Sequence, residues 1–454
     1  MEPQTGFLSL AEELLCYILS FLPYRDILRC TSICRTLRQT YLSFSELQYI
    51  VETSGQQLLV IPNTDDSIPI SERLQRLRDE AHAWFKVDTH PFLKLVPITW
   101  APLSRENIVA GGHFCSWDPI GDTAMILPVH PKPSQQSIRR NWLPGTLCSV
   151  PHLRNLDVFM DPAQNLIAVA YAADHRTVYI NLGALDGDGV HPQAAGERLV
   201  LSDNSRSATG NAKLKGFGRH IALSRLSNDE NQNSVWQLQI WDWKYSTTSS
   251  VSFGLKELKE LMVDSEFRAS SAVQYPTDPA QLNFVSSGTI DCWIFFDLDE
   301  MAAAMPIPWE HWGPSNTRIF QRPSRSTIHG NRVLQRLYVG TGSSQFILQL
   351  LDFSPLAVTN GRGLGRVVKE PSTTYAIVDR FGTRGESLTT SLPYVQVVFS
   401  DRKFDRVHSQ LREMWIDKDR IYMLSKSLRY PRDRLEVIDV KPDLRSAVVS
   451  TVDD

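Results

Sequence analysis

Four β-prone runs far apart in this 454-residue chain end the same way, in two apolar residues, an aspartate and one more apolar residue. They are Ile240-Trp241-Asp242-Trp243, Phe295-Phe296-Asp297-Leu298, Leu350-Leu351-Asp352-Phe353 and Val437-Ile438-Asp439-Val440, with aspartates 55, 55 and 87 residues apart. Tyr179-Ile180-Asn181-Leu182 reads as a further copy, and the run around Trp117-Asp118 as another. A unit of several short strands that returns every ~40–60 residues cannot bury its apolar faces alone and must stack on others of its kind. Radial stacking of such units is a β-propeller. With a unit near residues 375–400 that lacks the aspartate, the count comes to about seven. The alternative is a pair of irregular β-sandwiches whose strand ends agree by chance.

The rest of the chain beyond residue 90 supports a mainly-β reading. Short strand-like runs such as LIAVAY (166–171), FILQLLDF (346–353) and LEVIDV (435–440) are separated by Gly, Pro, Asn, Asp and Ser clusters. The 26 prolines and 24 glycines are scattered, which excludes a collagen-like repeat and favours many turns. A formal charge of -3 offers no basic excess for phosphates, so neither nucleic acid nor an anionic membrane is expected as a partner. The first residues lack a basic stretch ahead of an apolar core, and no apolar run nears the ~18 residues of a membrane span. With six cysteines and no Asn-X-Ser/Thr acceptor, the expectation is an intracellular protein, cytoplasmic or nuclear.

The N-terminus follows different rules. Ser9 with Glu12 has capping-box spacing, which predicts a helix from Leu10. Leu10, Leu14, Ile18 and Leu22 recur every four residues, with Tyr17 and Phe21 beside them and Leu15 and Leu19 on other faces. So wide an apolar arc on so short a helix exceeds what one buried side needs, and a surplus of this kind marks a binding surface. Pro23 ends the helix, Asp26 is expected to open a second carrying Ile27, Leu28, Cys30, Ile33, Cys34 and Leu37, and a third is expected over Tyr41 to Val51. Three helices in some 45 residues bury little by themselves and need cover.

The stretch LAEELLCYILSFLP (Leu10 to Pro23) followed by DILRCTSICRTL (Asp26 to Leu37) resembles the F-box family, over roughly residues 6–50. Ala11 departs from the usual proline and Leu37 from the usual aromatic residue. The resemblance implies that Leu10, Glu13, Leu14, Ile18, Leu22, Pro23, Leu28 and Ile33 lie at or near a surface that meets a Skp-type adaptor, and through it cullin and RING subunits. The bland reading makes these leucines the inside of a cap on the chain's own large domain. The strict Gly-His to Trp-Asp spacing of WD repeats is missing, so the β-part is WD-repeat-like.

The organisation expected is therefore α+β and multidomain. A helical F-box module spans 1–51, a linker with an amphipathic connecting helix spans 52–90, and a propeller-like, target-binding domain spans 91–454. The connecting helix is expected to be capped by Ser71 and to carry the stripe Leu74, Leu77, Ala81, Trp84 and Phe85, docked on the large domain. Fungal F-box proteins similar to this one often carry such a helix, ending in a Trp-rich turn.

No motif for bond-breaking chemistry appears. GRGLGR (361–366) is followed by VVKEP rather than a helix, so it is a loop and not a phosphate cradle. Cys30 and Cys34 lack partners at zinc spacing, His113, His130, His152, His175 and His220 stand isolated, and LDGDG (185–189) reads as a turn. The basic KSLRYPRDR (426–434) reads as a solvated loop, and most of the 11 tryptophans as blade core. No cofactor, metal or catalytic residue is expected. By resemblance the chain is a substrate adaptor of an SCF-type ubiquitin ligase and not an enzyme. The alternatives are an F-box scaffold outside a ligase, and a propeller hydrolase or glycan-binding protein.

Overall fold

The computed structural model describes residues 6–56, 68–87, 94–98, 106–118, 123–131, 135–143, 145–147, 154–173, 177–201, 212–228, 234–248, 251–255, 287–290, 315, 317–320, 326–329, 331–338, 345–360, 365–375, 387–405, 409–427 and 433–440. A 3-10 turn (Phe7–Ser9) leads into α1 (Glu12–Ser20), α2 (Tyr24–Ile33), α3 (Arg35–Ser43) and α4 (Ser45–Gly55). The capping box does not form. The Ser9 hydroxyl donates to the Gly6 carbonyl at 2.7 Å and closes the 3-10 turn, Leu10 and Ala11 are extended, and α1 starts two residues later than the spacing predicts. Glu12 and Glu13 then occupy its first turn, where the helix dipole favours carboxylates. Pro23 is the N-cap of α2, which begins at Tyr24, ahead of Asp26. Extended backbone at Cys34 and Phe44 breaks the remainder, so the two helices expected over 26–51 are three.

The module folds around Leu15, Cys16, Leu19, Leu37 and Leu47, all buried. Leu37 serves as the apolar plug at the position where an aromatic residue is usual. α5 (Ile70–Ala83) is N-capped at Pro69, which leaves Ser71 inside its first turn instead of at the cap. It lies against α4, where Arg78 donates to the buried Glu52 carboxylate at 3.3 Å and to Gln48 Oε1 at 2.9 Å.

Five sheets of four or five strands follow among the described residues. The first is β2 (Glu106–Ala110), β3 (His113–Asp118), β4 (Thr123–Pro128) and β5 (Arg140–Trp142). The second is β6 (Arg154–Asp161), β7 (Leu166–Ala172), β8 (Val178–Ala184) and β9 (Arg198–Val200). The third is β10 (Ala212–Phe217), β11 (His220–Asn228), β12 (Ser234–Asp242) and β13 (Val251–Leu255). Each is an antiparallel meander in chain order. Two short pairs, β14 (Ser287–Ile290) with β15 (Thr317–Phe320) and β20 (Ser372–Tyr375) with β21 (Ser387–Thr390), stand apart from them.

The fourth sheet sets β16 (Ser326–His329), β17 (Arg332–Tyr338) and β18 (Gln345–Asp352) in order, then β22 (Tyr394–Asp405) and β19 (Arg366–Val368). The fifth joins the two ends of the domain. Its strands β23 (Ser409–Asp417), β24 (Arg420–Ser427) and β25 (Asp433–Asp439) are completed by β1 (Lys94–Ile98), which pairs antiparallel with β25 from Lys94↔Val437 to Ile98↔Asp433. Meander blades packed face to face build a propeller, and the chain's own first strand completes the fifth blade. Faces of adjoining blades pack on each other, so β7 is buried at every position.

The repeating aspartate has a structural job in three blades. Asp242, Asp352 and Asp439 end third strands and pair with Arg219 (3.1 Å), Arg332 (3.3 Å) and Arg420 (3.4 Å), which stand at or just before the start of the neighbouring second strands. In each, the next residue donates its N–H across the same turn: Trp243 to Arg219 O, Phe353 to Asn331 O and Val440 to Asp419 O. Val129 to Gly112 O and Leu185 to Asn165 O are the equivalent bonds in the first two blades, which puts Pro128 and Ala184 at the aspartate position. Asn181 and Asp118 are therefore not copies. Asn181 accepts from the Tyr171 hydroxyl within its blade, and Asp118 ends a second strand. Asp297 lies outside the described residues.

The unit near 375–400 is not a separate blade either. β22 is the fourth strand of the fourth sheet, and the inserted α6 (Pro355–Asn360), β19 and the β20–β21 hairpin lengthen the last aspartate interval to 87 residues. Of the seven units counted in sequence, five are blades among the described residues, the 375–400 unit belongs to the fourth of them, and the Asp297 unit lies outside the described residues.

Among the described residues, helices and blades meet at two places. Leu356 on α6 is buried with Ile27 of α2 and Val51 of α4, and it fills the space where Gly55 lacks a Cβ. Asn331 Nδ2 donates to Gln56 O at 2.9 Å beside it. Trp84, just past α5, is 2% exposed among residues of the fourth and fifth sheets, and its Nε1 donates to Lys418 O at 3.2 Å. Arg332 also lies over the Trp84 ring, 5.1 Å from its centroid.

Two outcomes are expected. Ala11 has φ -58°, the value proline fixes, after an extended Leu10, so Ala11→Pro should stabilise the entry to α1 by ~0.4–1 kcal/mol. Slower amide exchange in α1 would register it. Gly55→Ala should cost ~1–3 kcal/mol through overlap with Leu356. Leu356→Ala should itself cost ~2–5 kcal/mol. In thermal unfolding the double variant should lose clearly less than the sum, because the smaller residue 356 makes room for the new methyl.

The exposed apolar face of the helical module

α1 divides its apolar residues between two sides. Leu15, Cys16 and Leu19 turn inward, while Leu14, Tyr17, Ile18 and Phe21 stay exposed at helical spacing of three and four residues. Tyr17 is 64% and Phe21 70% exposed, and their rings meet edge-to-face at 4.9 Å, so the pair is held in place although neither is buried. Phe7, Leu8 and Leu10 continue the exposed apolar surface ahead of α1.

Of the residues singled out in the sequence, Leu10, Glu13, Leu14, Ile18, Pro23 and Ile33 are exposed. Leu22 and Leu28 are half-buried and pack towards Ile27 and Val51. Phe7, Leu8, Tyr17, Phe21 and Leu42 are exposed apolar residues outside that set. The four-residue recurrence picks out only one row of α1. The companion signal is the Tyr17-Phe21 spacing, which places two aromatics on the same side.

Several polar groups named from the sequence are engaged within the fold where they are described. His113 is fully buried, its Nδ1 is 3.0 Å from Gly111 O and its Nε2 accepts from the Ile138 N–H at 3.1 Å. Burial lowers its pKa, which keeps the ring neutral and acting as a latch across the first blade. The latch sits on the two-residue turn Gly111-Gly112, both at positive φ, where a Cβ on Gly112 would run into the His130 backbone. Cys16 is held as a thiol by burial first and by Glu46 and Glu12 next, all raising its pKa. Asp186 bends back to Asn165 and Gln136, as expected of a turn. GRGLGR runs into β19 rather than a helix, although 361–364 lie outside the described residues, as do His152, His175 and 428–432. Among the described residues no three His, Cys, Asp or Glu side chains group as metal ligands, and no helix is long and apolar enough to cross a membrane.

No curated protein matches the chain. Among solved structures it is similar to the β-propeller domain of the Trilobed protease from Pyrococcus furiosus, at 10% identity over 77% of this chain and 98% of that one, with a TM-score of 0.32. A subtype N10 neuraminidase-like protein of A/little yellow-shouldered bat/Guatemala/060/2010 aligns at 9% identity over 77% and 99%, TM-score 0.32. An uncharacterized protein from Listeria monocytogenes EGD-e aligns at 8% over 73% and 77%, TM-score 0.27. These likenesses are too slight to build on, and the propeller assignment rests on the sheet order and ring closure. Residues 7–40 match the family model of the F-box domain, the same residues that carry the exposed apolar face. The chain thus carries an F-box domain at residues 7–40, placed ahead of a propeller-like domain with five blades among the described residues.

Proposed function

We propose that this chain is a substrate-recognition adaptor of an SCF-type ubiquitin ligase. Its F-box binds a Skp-type adaptor, and through it cullin and RING subunits, while the propeller-like domain holds a protein target. The observation that carries the reading is the exposed row Leu10, Leu14, Tyr17, Ile18 and Phe21 inside a matched F-box. A module that leaves five large apolar side chains in water while burying Leu15 and Leu19 is built for a partner.

The chain itself breaks no bond in this scheme. Transfer chemistry belongs to the recruited conjugating enzyme, and the chain supplies proximity and orientation. Trp84 and Leu356 favour that role, because they tie the helices to the ring at two separated points. Action inside the cell, in cytoplasm or nucleus, follows from the partners. An F-box scaffold outside a ligase would share the first step and lack the second.

The wild-type chain should co-purify with a Skp-type adaptor, whereas Leu14→Asp and Ile18→Asp, each putting a charge into an apolar contact, should weaken the complex at least a hundredfold, or ~3 kcal/mol. Both positions are exposed, so thermal unfolding of the free chain should stay near wild type. Full retention of the complex in both variants rejects the reading. Cullin and RING subunits in the wild-type pull-down separate the ligase from the scaffold.

A further inference from the structure

The charges of the F-box are laid out unevenly. α1 carries Glu12 and Glu13 and no basic residue, while α2 and α3 together carry Arg25, Arg29, Arg35 and Arg38 against the single carboxylate Asp26. The chain as a whole is at -3, so this is a local concentration rather than a reflection of composition. All four arginines are exposed.

Position adds to number. Arg29 and Ile33 are four apart on α2, so they share a face, and Ile33 is 74% exposed. Arg35 is the first residue of α3 and Arg38 lies one turn on, at the end where the helix dipole is already positive and where no acidic residue offsets it. A cation there is unfavourable by ~0.3–1 kcal/mol. Arg38 donates to Thr31 O at 3.1 Å, which offsets part of this, and its charge meets no carboxylate within its own helix. The Arg29–Asp26 pair, at 2.7 Å, neutralises part of the field, but it is solvent-exposed and so weak. The α2–α3 corner around Cys34 therefore presents an exposed isoleucine flanked by a net positive charge, four arginines against one aspartate.

We infer that this corner meets an acidic surface of the partner that the F-box binds, and that the charge pairing steers the two together. The partner is a protein with carboxylates clustered opposite Arg29, Arg35 and Arg38, and the apolar contact through α1 holds the complex once formed. The inference rests on the adaptor reading, since Ile33 is among the residues which the family resemblance assigns to that surface. Rim charges act mainly on the association rate and its salt dependence, and buried apolar anchors on the dissociation rate, so the two contributions are separable.

The test is stopped-flow or surface-based kinetics of the purified full chain with a purified Skp-type adaptor, across NaCl from about 50 to about 500 mM. The association rate should fall at least tenfold over that range. Arg29→Glu combined with Arg35→Glu should slow association at least tenfold at low salt and flatten the salt dependence, with dissociation within about threefold of wild type. Arg35→Glu places an acid at a helix N-terminus, which favours α3, so slower binding cannot be put down to an unfolded helix. The charge-preserving Arg29→Lys with Arg35→Lys should keep wild-type rates. Arg76→Glu, on the exposed surface of α5 outside the module, should leave them unchanged. A salt-independent association rate, or an unaltered rate in the reversed variant while the complex still forms, overturns the inference and leaves the adaptor reading standing. Failure of the wild-type chain to bind at all overturns both.

Discussion

Ring closure by β1 is the constraint on which the rest of the molecule depends. Five residues of β1 pair with β25, and without them the fifth blade would expose the edge of a strand whose side chains Leu435, Val437 and Ile438 are fully buried. The same pairing fixes where the preceding helix can be. Ten residues separate the end of α5 from β1, and Trp84 sits between the fourth and fifth sheets, in one cluster with Leu334, Phe346 and Ile416. The strand that shuts the ring is thus also the tether that seats the helix.

A second theme is how the blades are finished at the turn side. The Asp–Arg pair and the N–H bond beside it recur at Arg219/Asp242, Arg332/Asp352 and Arg420/Asp439. Neighbouring turns then bond to one another, as Gly111 N does to Asp417 Oδ2 and Gln164 Nε2 to Gly218 O. Asn331, in the fourth blade's turn, serves both purposes. Its carbonyl receives Phe353 N and its side chain holds Gln56 at the end of α4. The F-box is thereby anchored on the face of the ring where the blades are clasped.

The sequence made the architecture legible where side-chain pattern and backbone geometry agree. The three aspartates at 242, 352 and 439 mark true third-strand ends because a carboxylate there has an arginine within reach across the turn. Asn181 and Asp118 show the limit, since a similar local string can sit at another register or another strand end, which only pairing partners reveal. The unit counted near 375–400 is an insertion between the third and fourth strands of one blade, which looks, in one dimension, like a blade of its own. At the N-terminus the apolar face was readable from spacing, yet the capping box was not used: Ser9 found a nearer acceptor in Gly6 O. That α2 and α4 would pack on Leu356, some 300 residues on, had no local signal at all.

The position of Leu356 bears on how the protein is made. Ile27 and Val51 emerge early in synthesis, whereas the α6 side chain that covers them arrives roughly 300 residues later, or about 15–60 s at ordinary elongation rates. Through that interval the nascent F-box has an apolar underside with nothing on it. β1 waits still longer, for β25. A chaperone or an early-binding partner therefore has a window in which the front of the protein is sticky and the back does not yet exist.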